Sequence, residues 1–240
     1  MTTGLTYSTY VAQIATMAVV DQSDANFQVI LPQMITYAEN RIYRDLDLLS
    51  TSTAITSFGL TAGSRTLNTP AGTVVVTEQM NIITPAGTTN PELGVRNPCL
   101  PVTKEFLDTV WGDSSVSARA LPIYYCPFDD TVFYFGPYPD QSYTVEIVGT
   151  IRPASLSSTN TTTFISNYLP DLFIMASMIY ISAYQRDFGV VVNDPQMAMT
   201  YEAQYQALLK GAAVEENRKK YQGPGWTSES PSPISSPSRG

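Results

Sequence analysis

Residues 121–151 read LPIYYCPFDDTVFYFGPYPDQSYTVEIVGTI. Three short runs rich in Tyr, Phe, Val, Ile and Thr are separated by turn residues, the signature of strands and connections. Asp129-Asp130 punctuates the first pair, and Gly136-Pro137-Tyr138-Pro139-Asp140 the second. The pattern predicts strands over Leu121–Cys126, Thr131–Phe135 and Tyr143–Ile151, joined as a three-stranded meander. The same texture upstream predicts strands at Ser52–Phe58, Arg65–Asn68 and Thr73–Ile83. Thr103 to Trp111, with Phe106, Leu107, Val110 and Trp111 grouped on one side, predicts a short helix inserted among them.

On both sides of this block the period changes. Tyr7, Val11, Ile14 and Ala18 recur at helical spacing. Ser23 or Asp24 is placed to cap a second helix whose apolar face carries Phe27, Ile30, Leu31, Met34, Ile35, Ala38 and Ile42. Pro32 interrupts that face, so the helix either kinks there or starts there. After a Ser/Thr/Asn stretch at 154–163, Leu169 to about Arg186 predicts a helix with Pro170 in its first turn. It is apolar nearly all round and must be buried on most sides. Asp194-Pro195 starts a last helix with a stripe of Met197, Tyr201, Tyr205, Leu208 and Ala212, and with Glu215/Lys219 and Glu216/Lys220 at i,i+4.

Helices, then strands, then helices predict an α+β molecule: a helical bundle from the N- and C-terminal segments, residues 5–50 and 164–222, with an inserted antiparallel β domain over 51–153. The Ser/Pro-rich residues 223–240 predict an extended C-terminal tail, because such composition buries too little apolar surface to fold alone.

Composition bounds the chemistry. The chain has 240 residues, 43% of them hydrophobic but only 14% charged. At that length roughly 70% of the unfolded surface is buried on folding, so no metal or disulfide staple is needed. The net charge of −8 excludes a protein that is basic on average and binds nucleic acid through phosphate contacts. Like charge also suits a conduit to which DNA does not adhere. Histidine is absent, which excludes Ser-His-Asp and Cys-His nucleophile systems, His-liganded zinc and a histidine base. Cys99 and Cys126 are too few for a thiolate metal site and too far apart for a C-x-x-C motif; they read as two buried thiols, with a single disulfide the alternative. The N-terminus lacks a basic segment before an apolar core, and the most apolar stretch, Leu172–Tyr184, is short for a membrane span. The expectation is a soluble protein without cofactor or metal.

No acid pair is convincing. Asp129-Asp130 falls where a turn is expected, and Glu39 with Asp45 or Asp47 reads as a solvated helix face. The aromatics Tyr124, Tyr125, Phe128, Phe133, Tyr134, Phe135, Tyr138 and Tyr143 have the faces to stack bases or sugars. No Lys or Arg lies between Ala120 and Ile151, however, so sheet core and interface roles are favoured. Arg218-Lys219-Lys220-Tyr221 is the single basic cluster. It suits an acidic or phosphate-bearing partner, or simply complements a helix C-terminus.

Three segments together resemble a known family. Ile35-Thr36-Tyr37-Ala38-Glu39-Asn40-Arg41-Ile42-Tyr43-Arg44 resembles the A-E-x-R-I-Y-R helix of phage head-to-tail adaptor proteins, of podophage type. Leu121–Tyr125, Phe128-Asp129-Asp130, Phe133–Pro139 and Tyr143–Ile147 are similar to their P-x-Y-Y…F-D…G-P-x-P-D…Y-x-V-E-I block. Asn167–Gln185 and Tyr201–Leu208 are similar to their paired C-terminal helices.

The resemblance spans roughly residues 5–222. It implies a non-catalytic virion protein, assembled in the host cytoplasm and placed at the head–tail junction. Its partners are then the portal protein, tail proteins (nozzle or fibre), and copies of itself in a ring of twelve. Double-stranded DNA passes through the lumen without sequence-specific binding, and no membrane is involved. On this reading Arg218, Lys219, Lys220, Tyr221 and Trp226 face the portal, while Tyr124, Tyr134 and Tyr138 form a subunit or tail interface. The alternative is a tail-associated component that binds or hydrolyses glycans.

Overall fold

The computed structural model describes residues 4–88, 90–185 and 195–221. Six helices are formed: α1 (Tyr7–Ala18), α2 (Ala25–Asp45), α3 (Lys104–Val110), α4 (Phe164–Tyr168), α5 (Pro170–Gln185) and α6 (Pro195–Tyr221). Seven strands accompany them: β1 (Ser52–Leu60), β2 (Thr66–Asn68), β3 (Val76–Thr84), β4 (Val95–Pro101), β5 (Tyr124–Pro127), β6 (Val132–Gly136) and β7 (Tyr143–Thr150). They separate into two compact units. One is Ser50–Ala154; the other joins the residues up to Leu49 with those from Ser155 on.

In the helical unit, local chemistry sets the boundaries. Thr6 and Thr9 form a capping box that starts α1. Asp24, one of the two predicted caps, accepts the Phe27 N–H at 2.8 Å, so α2 begins well before Pro32 and carries it inside. The Thr36 hydroxyl then donates to the Pro32 carbonyl at 2.9 Å. Thr163 and Ser166 box the start of the short α4, which the sequence did not predict. Helix α5 packs against α1, α2, α4 and α6, as an all-round apolar helix requires. Tyr10 stacks on Phe173 at 4.5 Å between ring centroids, and its hydroxyl meets the Ser177 hydroxyl at 2.6 Å. Phe27, Leu31, Met34, Ile35, Ile42, Leu172, Phe173 and Ile181 complete a dry core.

The β unit overturns the predicted fold class. The molecule is not a helical bundle with a small inserted antiparallel domain. It is a mixed α/β protein with a seven-stranded, nearly closed sheet ordered β1-β7-β3-β4-β5-β6-β2, whose two end strands approach each other. The sheet is not purely antiparallel either, because β4 and β5 pair in parallel, Leu100 opposite Tyr124. A parallel pair needs a crossover of a dozen or more residues. The segment holding α3 supplies it. Strand β4 is not among the predicted strands, and it contains Pro98 and Pro101. At Pro98 the strand has a registered partner on one side only, Asn81 of β3, where a missing N–H is tolerated.

The predicted three-stranded meander is also incorrect. Strands β5 and β6 do form a hairpin, Tyr125 opposite Phe135. Strand β7 instead lies between β1 and β3, with Ile147 opposite both Ile55 and Met80. The far side of β6 is taken by β2. The connecting carbonyls of Tyr138 and Pro139 accept from the N–H groups of Ala120 and Gly63. Residues 137–140 are thus tied to two other loops, not to a tight hairpin. Leu60, Met80, Ile82, Phe133, Phe135, Val145 and Ile147 fill the interior of the sheet.

Candidate interaction surfaces

Among the described residues, no cluster of Cys, Asp and Glu is arranged to hold a metal ion. Cys99 and Cys126 are buried free thiols, and burial pushes the Cys99 thiol up to about 12, far from the reactive range. The Asp129-Asp130 pair is a turn, as the sequence indicated. Asp129 accepts the N–H groups of Thr131 and Val132 and the Thr131 hydroxyl, which holds its carboxyl below the usual range. Glu39 does not lie on a solvated face. It is 2% exposed and accepts the Leu156 N–H at 3.0 Å.

The basic end of α6 is largely spoken for. Lys219 pairs with Glu215 at 2.8 Å and Glu216 at 2.7 Å, and it covers the Phe164 ring. The predicted Glu216/Lys220 pair does not form. Lys220 reaches Asp47 instead, while buried Glu216 also accepts the Leu49 N–H. Both lysines therefore fasten α6 to its own unit. Arg218 is exposed and pairs with no described residue. The Tyr221 side chain, Trp226 and the whole segment from residue 222 lie outside the described residues.

The aromatics of the β unit divide by face. Tyr125, Phe133, Phe135 and Tyr143 point into the core. Tyr124 points outward, with its ring 5.0 Å from Trp111 and 5.8 Å from Phe106 of α3. Gly136, opposite Tyr124, leaves room for this helix; a Cβ there would come within 2.6 Å of Leu107. Leu100, the parallel partner of Tyr124, is exposed together with Phe106, Val110 and Ile123. Tyr134 and Tyr138 are brought together by Arg65, whose guanidinium lies 5.1 and 5.4 Å from their ring centres. Asp108 binds Arg65 and Lys104 at 2.6 Å each. The sequence did not reveal this cluster. Lys104 and Asp108 are a legible i,i+4 pair, but Arg65 is distant in the chain and carries no local signal.

The motif around Glu39 also divides by face. Ile35, Ala38, Glu39 and Ile42 are buried. Thr36, Tyr37, Asn40, Arg41 and Arg44 line an open groove of about 650 Å³ with Pro32, Gln33 and Asp45. Arg41 is anchored by Glu202 at 2.6 Å and lies 4.2 Å from the centre of the Tyr205 ring. The Tyr205 hydroxyl donates to Asp45 at 2.8 Å. One short motif thus packs the core, holds α6 and lines an open groove. No described helix is long and apolar enough to cross a membrane.

No curated protein matches the chain. The family model of the SU10 adaptor protein matches residues 5–227, nearly the whole chain and all three motif segments. The chain belongs to the SU10 adaptor protein family and is a phage adaptor, a structural component of the virion.

Proposed function

We propose that this chain is a non-catalytic head-to-tail adaptor that sits as a ring of twelve below the portal, extends the DNA channel and docks tail proteins. The observation that carries the reading is the family match over residues 5–227, across both units and not a shared fragment. Two physical features support it. The net charge of −8 suits a lumen through which DNA passes without sticking. The outward aromatics Tyr124, Tyr134 and Tyr138, beside exposed Leu100, Phe106 and Ile123, have the composition of a protein interface, so this face serves a neighbouring subunit or a tail (nozzle or fibre) protein. The portal contact is assigned to Arg218, Lys219, Lys220, Tyr221 and Trp226. Of its described side chains, Arg218 has its charge uncommitted, whereas the two lysines already bind carboxylates of their own unit.

The test is co-sedimentation of the purified chain with its portal, with and without residues 218–240. The expected result is ring-stoichiometric binding that weakens on truncation. No binding by the intact chain overturns the assignment. No observation favours the alternative of a tail-associated component that binds or hydrolyses glycans. Tyr124 is partly covered by Phe106 and Trp111, and Arg65 occupies the faces of Tyr134 and Tyr138.

A further inference from the structure

The helical unit contains a carboxyl group that its surroundings do not fully satisfy. Glu39 projects from the middle of α2 between Ala38 and Ile42, which are buried on the same face. One of its oxygens, Oε1, accepts the Leu156 N–H at 3.0 Å. The other, Oε2, is buried without a hydrogen-bond partner among the described residues. The titratable groups that sense it are Tyr10, from α1, and Tyr43, one turn further along α2. Both are phenols, which carry no positive charge in either form, and burial raises both above their ordinary value. Ser155 adds a hydroxyl contact, which only partly offsets the burial.

An ionised carboxylate in this position is a buried charge with no cation among the described residues. That is less favourable than leaving one oxygen of a neutral acid unsatisfied. The neutral acid still presents an oxygen to Leu156. Burial accordingly raises the carboxyl above its ordinary value, against the opposing pull of Leu156 and Ser155.

The segment that Glu39 grips is a local hub. Leu156 is buried in the core of the helical unit. The Thr161 carbonyl accepts the Tyr7 N–H at 2.9 Å, and the Ser166 carbonyl accepts the Leu5 N–H at 2.8 Å. Thr163 caps α4. Residues 155–166 therefore hold the start of α1 and the start of α4 together, and Glu39 is their side-chain tie to α2.

We propose that Glu39 is a proton-controlled latch: as a neutral acid it clamps residues 155–163 to α2, and loss of its proton as pH rises favours release of that segment. The sign follows from linkage. In the released segment the carboxyl is hydrated and ionises at its ordinary value, whereas in the clamped state it ionises higher. Opening becomes more favourable by about tenfold per pH unit between those two values and levels off above the higher one.

The experiment is amide hydrogen exchange of the full chain, followed by mass spectrometry on peptides covering 155–163, over a pH series corrected for intrinsic exchange. The comparison is Glu39→Gln, whose amide oxygen still accepts from Leu156 but which cannot ionise. Protection of this segment in the native protein is expected to fall relative to Glu39→Gln by about tenfold per pH unit across the window. Identical pH profiles for the two proteins overturn the proposal. Should Glu39→Gln not fold, the carboxyl carbon resonance of Glu39 in native protein decides: a midpoint above the ordinary glutamate value supports the latch, and one at or below it overturns it.

Discussion

The helical unit and the β unit both bury glutamates, and they stabilise them differently. In the β unit, Glu146 sits under Arg96 at 3.0 Å and receives the Asn81 amide at 2.7 Å. At the end of α6, Glu216 has Lys219 and the Leu49 N–H. Glu39, in the middle of α2, has an N–H and a hydroxyl but no cation among the described residues. The first two each face a cation and tie elements together. The third works as a tie only while it holds its proton. The same residue type is paired with a cation in two places and with an N–H in the third.

The largest effects test whether each unit has the dry core described. Phe173→Ala in the helical unit and Phe135→Ala in the β unit are each expected to cost about 3–5 kcal/mol, read as a lowered urea midpoint. Both rings are fully buried. A negligible loss for Phe135→Ala would mean that the nearly closed sheet does not enclose a packed interior. Next comes Gly149→Ala in β7, where an added Cβ collides with the Val76 carbonyl oxygen of the adjacent strand. It is expected to cost about 1–3 kcal/mol, and wild-type stability for this variant would contradict the placement of β7 between β1 and β3.

The carboxylate comparison itself is sharpened by two variants. The folded-state value of Glu39 is raised, so its favourable contribution is complete below the unfolded value and lost as pH rises through the folded one. Glu39→Gln is therefore expected to match the native protein in acid and to exceed its stability near neutral pH. Lys219→Ala removes the cation from Glu216 and is expected to lower stability near neutral pH. The loss should be no more than about 1 kcal/mol, because the lysine is 36% exposed and screened by solvent. Equal pH dependence for the two variants would break the distinction. The smallest effect is at Arg65→Met, which removes the guanidinium from Tyr134 and Tyr138 and is expected to cost about 0.5–1 kcal/mol.

How much of this was legible in the chain depends on the range of the interactions. Helices α1, α2, α5 and α6 follow from apolar periodicity and from local caps such as Asp24 and Pro170, so their positions could be read directly. Six of the seven strands were visible as runs, but their order was not. Which strand neighbours β7 is decided by contacts far apart in sequence, Ile147 with Ile55 and Met80. The parallel pairing of β4 with β5 joins segments more than twenty residues apart, Leu100 with Tyr124, and leaves no local signal. Burial of Glu39 was missed because a carboxylate is normally solvated, although its place between Ala38 and Ile42 on the apolar stripe was the available signal. The Arg65–Tyr134–Tyr138 cluster left no trace in local sequence, since its members come from the loop before β2, from β6 and from the loop after β6.

The most direct test of the adaptor reading is the mass of the complex that the full chain forms with its portal, measured under native conditions. The account predicts a closed assembly with one copy of this chain for each portal subunit, twelve in all. A portal that stays bare, or takes up the chain in no fixed ratio, would contradict it.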